Sequence, residues 1–265
     1  QKKPKLSVVV VNYNHKYFPK MCVDALKKSK TDFSFEIIFI DNASKDESLD
    51  YLKKAANDRD IILIESPVNL GYGQGNNLGV KYAKGDFSLI CNPDIAVKED
   101  TLQKLVNFLE KHQDIGILAP KLVYHNGQVQ ESCRRFMTFS DLIIKRTPLK
   151  CLPKFKKRLD KYLMYDFDHN KIQEVDLVTG ACFLIRKSVY DEVHGFDKRY
   201  FLFMEDFDLC REVHKKGYKI IYFPETEAFH YNKRLSGEGF FSLIIKKIFW
   251  IHIISAIKYF WKWRK

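Results

Sequence analysis

The feature that most constrains this chain is a set of apolar runs at consecutive rather than alternate positions. They lie in "LSVVVVNYN" at 6–14, "FEIIFIDNAS" at 35–44, "IILIES" at 61–66 and "DFSLICNPDI" at 86–95. A strand with one face in water alternates apolar and polar residues. A continuous β-branched run is a strand buried on both faces, as in a parallel sheet covered by helices. Helical patterns separate the runs. One spans about residues 17–30. A second is "SKDESLDYLKKAAN", with Ser44 as N-cap and acids in its first turn. "GYGQGNNLGVKYAKG" at 71–85 is a glycine-rich turn entering a third helix, "KEDTLQKLVNFLEKH" a fourth, and "DIGILAPKLVY" a further strand. Strand alternating with helix through residue 118 predicts an α/β fold, a Rossmann-like, mostly parallel sheet with helices on both faces. Ligands of such sheets bind beyond the carboxyl ends of the strands. Asn12, Asn14, Asp41, Asn42 and Asp94 stand at those ends.

At 265 residues the chain can bury a substantial core as one large domain, or as one domain with an extension. "VDLVTGACFLIRKSVYDEV" at 175–193 predicts another strand and a short helix, "EDFDLCREVHKKG" at 205–217 a helix stopped by Gly217, and "YKIIYFP" a strand. Lys and Arg outnumber Asp and Glu by 45 to 33, for a formal charge of +12. Such a surplus suits an anionic partner. Residues 145–161, "KRTPLKCLPKFKKRLDK", concentrate it, with eight basic residues against one acid, and read as a basic loop or a short surface helix. A nucleic-acid-binding module is disfavoured: the basic residues do not interleave with an RNA-binding motif, and acids occupy the strand ends. The six cysteines form no CxxC pair, and Gln1–Lys5 reads as a charged lead into the first strand rather than a secretion signal. Reduced thiols in the cytoplasm are expected.

Three short stretches carry chemistry. "GYGQGNN" resembles a dinucleotide fingerprint only loosely, because it follows the third strand instead of the first. Its glycines still permit close backbone approach to a ligand. "CNPD" at 91–94 sets Asn92 and Asp94 about a rigid proline. It is either a Pro-Asp turn or a hard oxygen site for Mg²⁺ or Mn²⁺ holding a diphosphate. "FLFMEDFDLC" at 201–210 places Glu205, Asp206 and Asp208 in an apolar run. Acids favour a helix N-terminus, which suits Asp208; an apolar wall also raises a carboxyl pKa, which suits a general base.

Taken in order, "SVVVVNYN", "IIFIDNASKDES", "NLGYGQGNN", "CNPD", "VTGACFLIRKS", "GFDKRYFLFMEDFDLCREVHKKGYKI" and "HYNKRLSG" resemble the inverting family 2 glycosyltransferases of the GT-A fold. They are most similar to the rhamnosyltransferase-type branch of bacterial surface-polysaccharide assembly. The resemblance implies a nucleoside diphosphate sugar donor, with dTDP-rhamnose first and UDP-hexose or UDP-galactofuranose as alternatives. It implies a polyprenyl-diphosphate-linked glycan acceptor and a Mg²⁺ or Mn²⁺ cofactor. It assigns Asn12, Tyr13, Asn14, Asp41, Asn42, Gly71, Asn76, Asn77 and Asn92 to the nucleotide and donor. Asp94 and His230 fall to the metal, Asp206 is the base with Glu205 beside it, and Arg134 and Arg135 lie toward the acceptor. Asn92 stands where many members of the family carry the first acid of a DxD motif, so metal affinity relies more on the diphosphate.

The tail, residues 239–265, contains no acid. Its longest stretch free of Lys and Arg is ten residues, Ile248–Ile257, against about 20 needed to span a bilayer. Lys247, Ser255, Lys258, Lys262 and Lys265 fall on one helical stripe, and Ile, Phe and Trp cover the rest. This predicts a glycosyltransferase domain over 1–238, its nucleotide half ending near 120 and its acceptor half spanning 121–238. A separate membrane-associating helix follows at 239–265, with Trp250, Trp261 and Trp263 at headgroup depth and the basic loop attracting anionic lipid. A packing or homodimerising helix is the alternative. On the membrane reading, removing residues 241–265 releases the enzyme from the inner face of the cell membrane and spares activity on a soluble acceptor.

Overall fold

The computed structural model describes residues 3–231 and 247–264. The first four long runs form strands β1 (Leu6–Asn12), β2 (Phe35–Asp41), β3 (Ile62–Glu65) and β4 (Phe87–Cys91). They associate in parallel in the order β3-β2-β1-β4. Every residue of β1 and β4 is buried, as a sheet covered on both faces requires. Helices α1 (Phe18–Lys27), α2 (Ser48–Asn57), α3 (Tyr72–Tyr82) and α4 (Thr101–Lys111) connect the strands, with β5 (Ile95–Val97) following the Asn-Pro-Asp turn. The chain continues through β6 (Ile115–Val123), the two-residue strands β7 (Cys133–Arg134), β8 (Gln173–Glu174) and β9 (Leu177–Val178), then β10 (Cys182–Arg186) and β11 (Lys219–His230), of which β5, β6, β8, β10 and β11 join the main sheet. β10 lies antiparallel between β4 and β6, and β6 pairs in parallel with β11. β7 and β9 form a separate two-stranded ribbon over this half.

The second half of the chain adds α5 (Phe139–Arg146), a 3₁₀ turn at Pro148–Cys151, α6 (Pro153–Leu163), α7 (Lys187–Glu192) and α8 (Glu205–Lys215). The basic stretch 145–161 is therefore largely helical, with Pro153 in the first turn of α6, where its missing N–H costs nothing. Ser44 does not cap α2, which begins at Ser48. The Ser44 hydroxyl instead accepts from Asn12 Nδ2 and from the Asn14 amide, and Ala43 turns the chain at φ 61°.

The final helix, α9 (Lys247–Lys262), packs on the rest of the chain. Ala256 and Tyr259 are buried in one cluster with Tyr200 and Met204. The polar stripe faces the enzyme: Ser255 donates to the Leu202 carbonyl, Lys258 to the Arg199 carbonyl, and Lys262 to Asp197 and Asp208. Ile254, Ile257 and Trp261 face outward. The 238/239 boundary, residues 232–246 and Lys265 lie outside the described residues. All six cysteines are free.

Candidate active site

At the carboxyl ends of β1 and β2 the predicted polar residues form one closed network. Asn12 Nδ2 donates to Asp41 Oδ1 at 3.0 Å and to the Ser44 and Ser48 hydroxyls. Asp41 Oδ2 accepts from the Ser44 amide, and Asn14 Oδ1 from the Lys45 amide. Asn12, Asp41 and Asn42 are buried, whereas Tyr13 is 44% exposed and presents its ring at the mouth. Asn42 donates to the Gly71 carbonyl. Gly71 opens α3 at φ 80°, pressed so closely on the Phe201 carbonyl that a Cβ there would overlap it. Asn76 is buried and donates to the Tyr72 carbonyl. Asn77 is spent on packing: it donates to the Phe196 carbonyl and accepts from the Phe196 amide and the Tyr190 hydroxyl. Its expected place beside a nucleotide gives way to this joint between α3 and the loop before α8.

A cleft opens beside this network, lined by Asn92, Arg134, Glu205, Asp206 and His230 together with Tyr72, Gln130, Tyr165 and Gly180. Separate regions of the sequence meet here because β4, β10, β6 and β11 are adjacent. Asp94 and His230 are both buried, with Asp94 Oδ1 3.4 Å from His230 Nε2. Gln130, which sequence reasoning missed, fixes the imidazole. Its Nε2 donates to the His230 backbone carbonyl, so its Oε1 faces His230 Nδ1 at 2.8 Å. With a single proton, on Nδ1, His230 turns its Nε2 lone pair to the Asp94 carboxylate, and two such acceptors suit a cation between them. Among the described residues no group of three or more His, Cys, Asp or Glu could hold a metal. A divalent ion held by the Asp94–His230 pair would need its other ligands from outside the protein.

The acids stand at the start of α8. Two consecutive residues before them, Phe203 and Met204, have φ of 70°, a conformation L-residues adopt only under constraint. Glu205 is buried, its Oε2 has no hydrogen-bond partner, and burial followed by the adjacent Asp206 charge pushes its pKa up to about 8. Asp206 is partly open to the cleft. Its Oδ2 accepts from the Gly180 amide at 3.0 Å and its Oδ1 from the Phe207 amide at 2.9 Å. Burial raises the Asp206 pKa, and these two amides and the nearby Arg134 oppose the rise. The Tyr72 hydroxyl donates to the Gly180 carbonyl, bracing the same turn. Arg134 lines the cleft; Arg135, the next residue, points to Asp176 at 3.2 Å and not into it. β7 ends at Arg134 and delivers one guanidinium rather than two.

Asp208 belongs to none of this. It is buried beneath α9 and accepts from Tyr200, Lys262 and Trp263. Gln130 offered no motif, and Tyr72 lay within the glycine-rich stretch where attention went to the glycines.

A parallel β3-β2-β1-β4 half with an antiparallel β10, and a cleft joining an Asp–His pair to an acidic pair, define a GT-A glycosyltransferase. The chain belongs to Glycosyl transferase family 2, whose profile matches residues 7–194. It is 29% identical over 260 residues to Rhamnosyltransferase WbbL of Escherichia coli strain K12, covering 95% of this chain and 91% of that one. It is 27% identical over 222 residues to the N-acetylglucosaminyl-diphospho-decaprenol L-rhamnosyltransferase of Mycobacterium tuberculosis strain H37Rv, covering 78% of this chain and 70% of that one. The crystal structure of GalNAc-T7 with UDP, GalNAc and Mn²⁺ shares the fold, with a TM-score of 0.73 at 17% identity over 99% of this chain; the chain spans 48% of that structure's length.

Proposed function

We propose that this chain transfers L-rhamnose from dTDP-rhamnose, with inversion, to a lipid-diphosphate-linked glycan during cell-surface polysaccharide synthesis. The observation that carries the reading is the single cleft in which Asn92 and His230 face Glu205 and Asp206. Likeness to WbbL along nearly the whole chain supports rhamnose over UDP-hexose or UDP-galactofuranose. The nucleoside lies toward Tyr13 and the Asn12–Asp41 network, and the diphosphate toward Asn92. Asp94 and His230 would hold Mg²⁺ or Mn²⁺, which would supply positive charge to the departing diphosphate; the GalNAc-T7 structure, of the same fold, contains Mn²⁺.

Inversion is one displacement. Asp206 accepts the proton of the acceptor hydroxyl, whose oxygen bonds to the anomeric carbon while the bond from that carbon to the diphosphate oxygen breaks. The Gly180 and Phe207 amides aim the Asp206 carboxylate. Glu205, protonated below pH about 8, spares Asp206 a second adjacent negative charge. Arg134 is the cation placed to receive acceptor diphosphate.

The acceptor reading extends to the surface. Ile254, Ile257 and Trp261 lie on the outward side of α9, Ile257 and Trp261 being 57% and 65% exposed. The Phe139 ring of α5 meets the Phe260 ring with centroids 5.4 Å apart, Ile143, Leu149 and Leu152 are exposed as well, and α6 next in the chain is rich in lysine. No helix among the described residues is long and apolar enough to cross a membrane. We assign this face to the anionic inner surface of the cell membrane rather than to a second copy, because the adjoining charge is basic.

The test is a panel of dTDP-rhamnose, UDP-glucose and UDP-galactofuranose with Mn²⁺ and a synthetic GlcNAc-diphosphoryl-lipid acceptor. Transfer is expected with dTDP-rhamnose, forming a product of inverted anomeric configuration. Asp206→Asn is expected to lose about 10²–10⁴-fold in kcat, with donor KM near wild type. Transfer from a UDP-sugar alone overturns the donor, and full turnover in Asp206→Asn overturns the base.

A further inference from the structure

The segment that delivers the acids, residues 197–208, is held on one side by the glycine-rich turn and on the other by α9. On the first side the Tyr72 amide donates to the Phe201 carbonyl at 3.0 Å. On the second, contacts recur along the segment. Lys262 Nζ lies 3.1 Å from Asp197 Oδ2, 2.7 Å from Asp208 Oδ2 and 2.8 Å from Glu212 Oε1. Lys258 donates to the Arg199 carbonyl at 2.7 Å and Ser255 to the Leu202 carbonyl at 2.8 Å. The His252 and Phe203 rings meet edge-on at 4.8 Å, and Trp263 Nε1 donates to Asp208 Oδ1 at 2.8 Å. Arg211 of α8 lies against the Tyr259 and Trp263 rings, 5.3 Å from each.

These contacts fall where the backbone most needs them. Phe203 and Met204 sit consecutively at positive φ, directly before Glu205 and Asp206. Such a turn persists only when its surroundings over-determine it. Leu202 and Phe203 are held by Ser255 and His252, and Met204 packs in the cluster that contains Ala256 and Tyr259. Asp208, one turn beyond the acids, is buried and answered by Lys262. Helix packing for stability alone has no need to place polar contacts on both sides of the acidic pair.

We propose that α9 is a positioning element of the reaction: through Ser255, Lys262 and Trp263 it fixes residues 197–208 and so sets the Asp206 carboxylate against the cleft. This rests on the assignment of Asp206 as base. It makes the last helix part of the working site although it touches no reacting atom, and it predicts that removing the helix costs turnover even with a soluble acceptor.

The test uses the full chain with Ser255→Ala, Lys262→Met and Lys262→Arg. Turnover of dTDP-rhamnose is measured per dTDP-binding site, alongside the dTDP dissociation constant with Mn²⁺, melting temperature and amide exchange of residues 197–208. Ser255→Ala removes one hydrogen bond and keeps the fold if Lys262→Met does not. Expected are a severalfold loss of turnover in Ser255→Ala and about tenfold in Lys262→Met. The dTDP constant and donor KM should stay within twofold, exchange should be faster in 197–208, and Lys262→Arg should recover most of the loss. Turnover per binding site within twofold of wild type in both Ser255→Ala and Lys262→Met, even with a lowered melting temperature, overturns the proposal and leaves α9 a packing helix. Asp206→Asn separates the two readings: full turnover there refutes the base, and with it the positioning role, whatever the helix variants do.

Discussion

Glu205 and Asp206 are neighbours in sequence and opposites in setting. Glu205 is sealed and its Oε2 unpartnered; Asp206 reaches the cleft with both oxygens on backbone amides. Burial therefore favours the proton on Glu205, while the amides help Asp206 stay ionised. The consequence for stability has a definite sign. An unfolded glutamate releases its proton near pH 4.3, whereas folded Glu205 holds it up to pH about 8. Between these values the unfolded chain binds fewer protons, so this residue erodes stability as pH rises through the window and no further above it. Glu205→Gln removes the ionisation and keeps the shape. The variant is expected to match wild type in melting temperature at pH 5 and to exceed it by several degrees at pH 9. Thermal melts at the two pH values check this; an equal difference at both shows that Glu205 does not carry the proton. Asp208 differs again. Burial raises its pKa and Lys262 and Trp263 counter the rise, so this third acid is structural and serves neither helix capping alone nor catalysis.

At the scale of elements, β1, β2 and β4 were legible because burial on both faces leaves an unbroken apolar run, whereas β3, equally apolar in sequence, is the edge strand and has no buried residue. The strand-end residues followed from that. The start of α2 was not legible. Ser44 has the chemistry of a cap, but its hydroxyl is claimed by Asn12 and Asn14, partners 30 or more residues away. Nor were β7, β8 and β9, since two residues carry no period. Gln130 was invisible for the same reason: it follows Val129, which bridges Val123, on a short return beside β6, and its role exists only when β11 brings His230 alongside. That placement is testable. Gln130→Met keeps most of the volume and releases the imidazole from its Nδ1 partner. Loss of such an orienting contact typically costs about 10–100-fold in metal affinity. Mn²⁺ titrated in the presence of dTDP and followed by electron paramagnetic resonance is expected to show that loss, with the melting temperature little changed. Undiminished Mn²⁺ affinity in the variant removes Gln130 from the metal site.

For the whole molecule, the decisive fact is the direction in which α9 faces. A helical wheel separates its lysines from its aromatic and aliphatic residues but cannot say which side meets the protein. The acids Asp197, Asp208 and Glu212 decide it by drawing Lys262 inward, which turns Ile254, Ile257 and Trp261 outward. Leu202 connects the inner side of α9 to the cleft, lining the cleft and accepting from the buried Ser255. Burying about 50 Å² on each of three side chains at about 25 cal/mol per Å² gives about 1 kcal/mol apiece, so Ile254→Ser, Ile257→Ser and Trp261→Ser together should weaken partition to anionic liposomes by about two orders of magnitude. The lysines of α6 contribute a separable part that should fade between about 0.1 and 0.5 M salt as screening shortens, whereas the apolar part should persist. None of the three replaced side chains makes the inward contacts of α9, so turnover on a soluble acceptor should stay near wild type. Cosedimentation with phosphatidylglycerol vesicles and size-exclusion light scattering distinguish the partners. Unchanged vesicle binding in the triple variant, together with a wild-type dimer that the variant loses, would assign the face to a second copy of the chain instead.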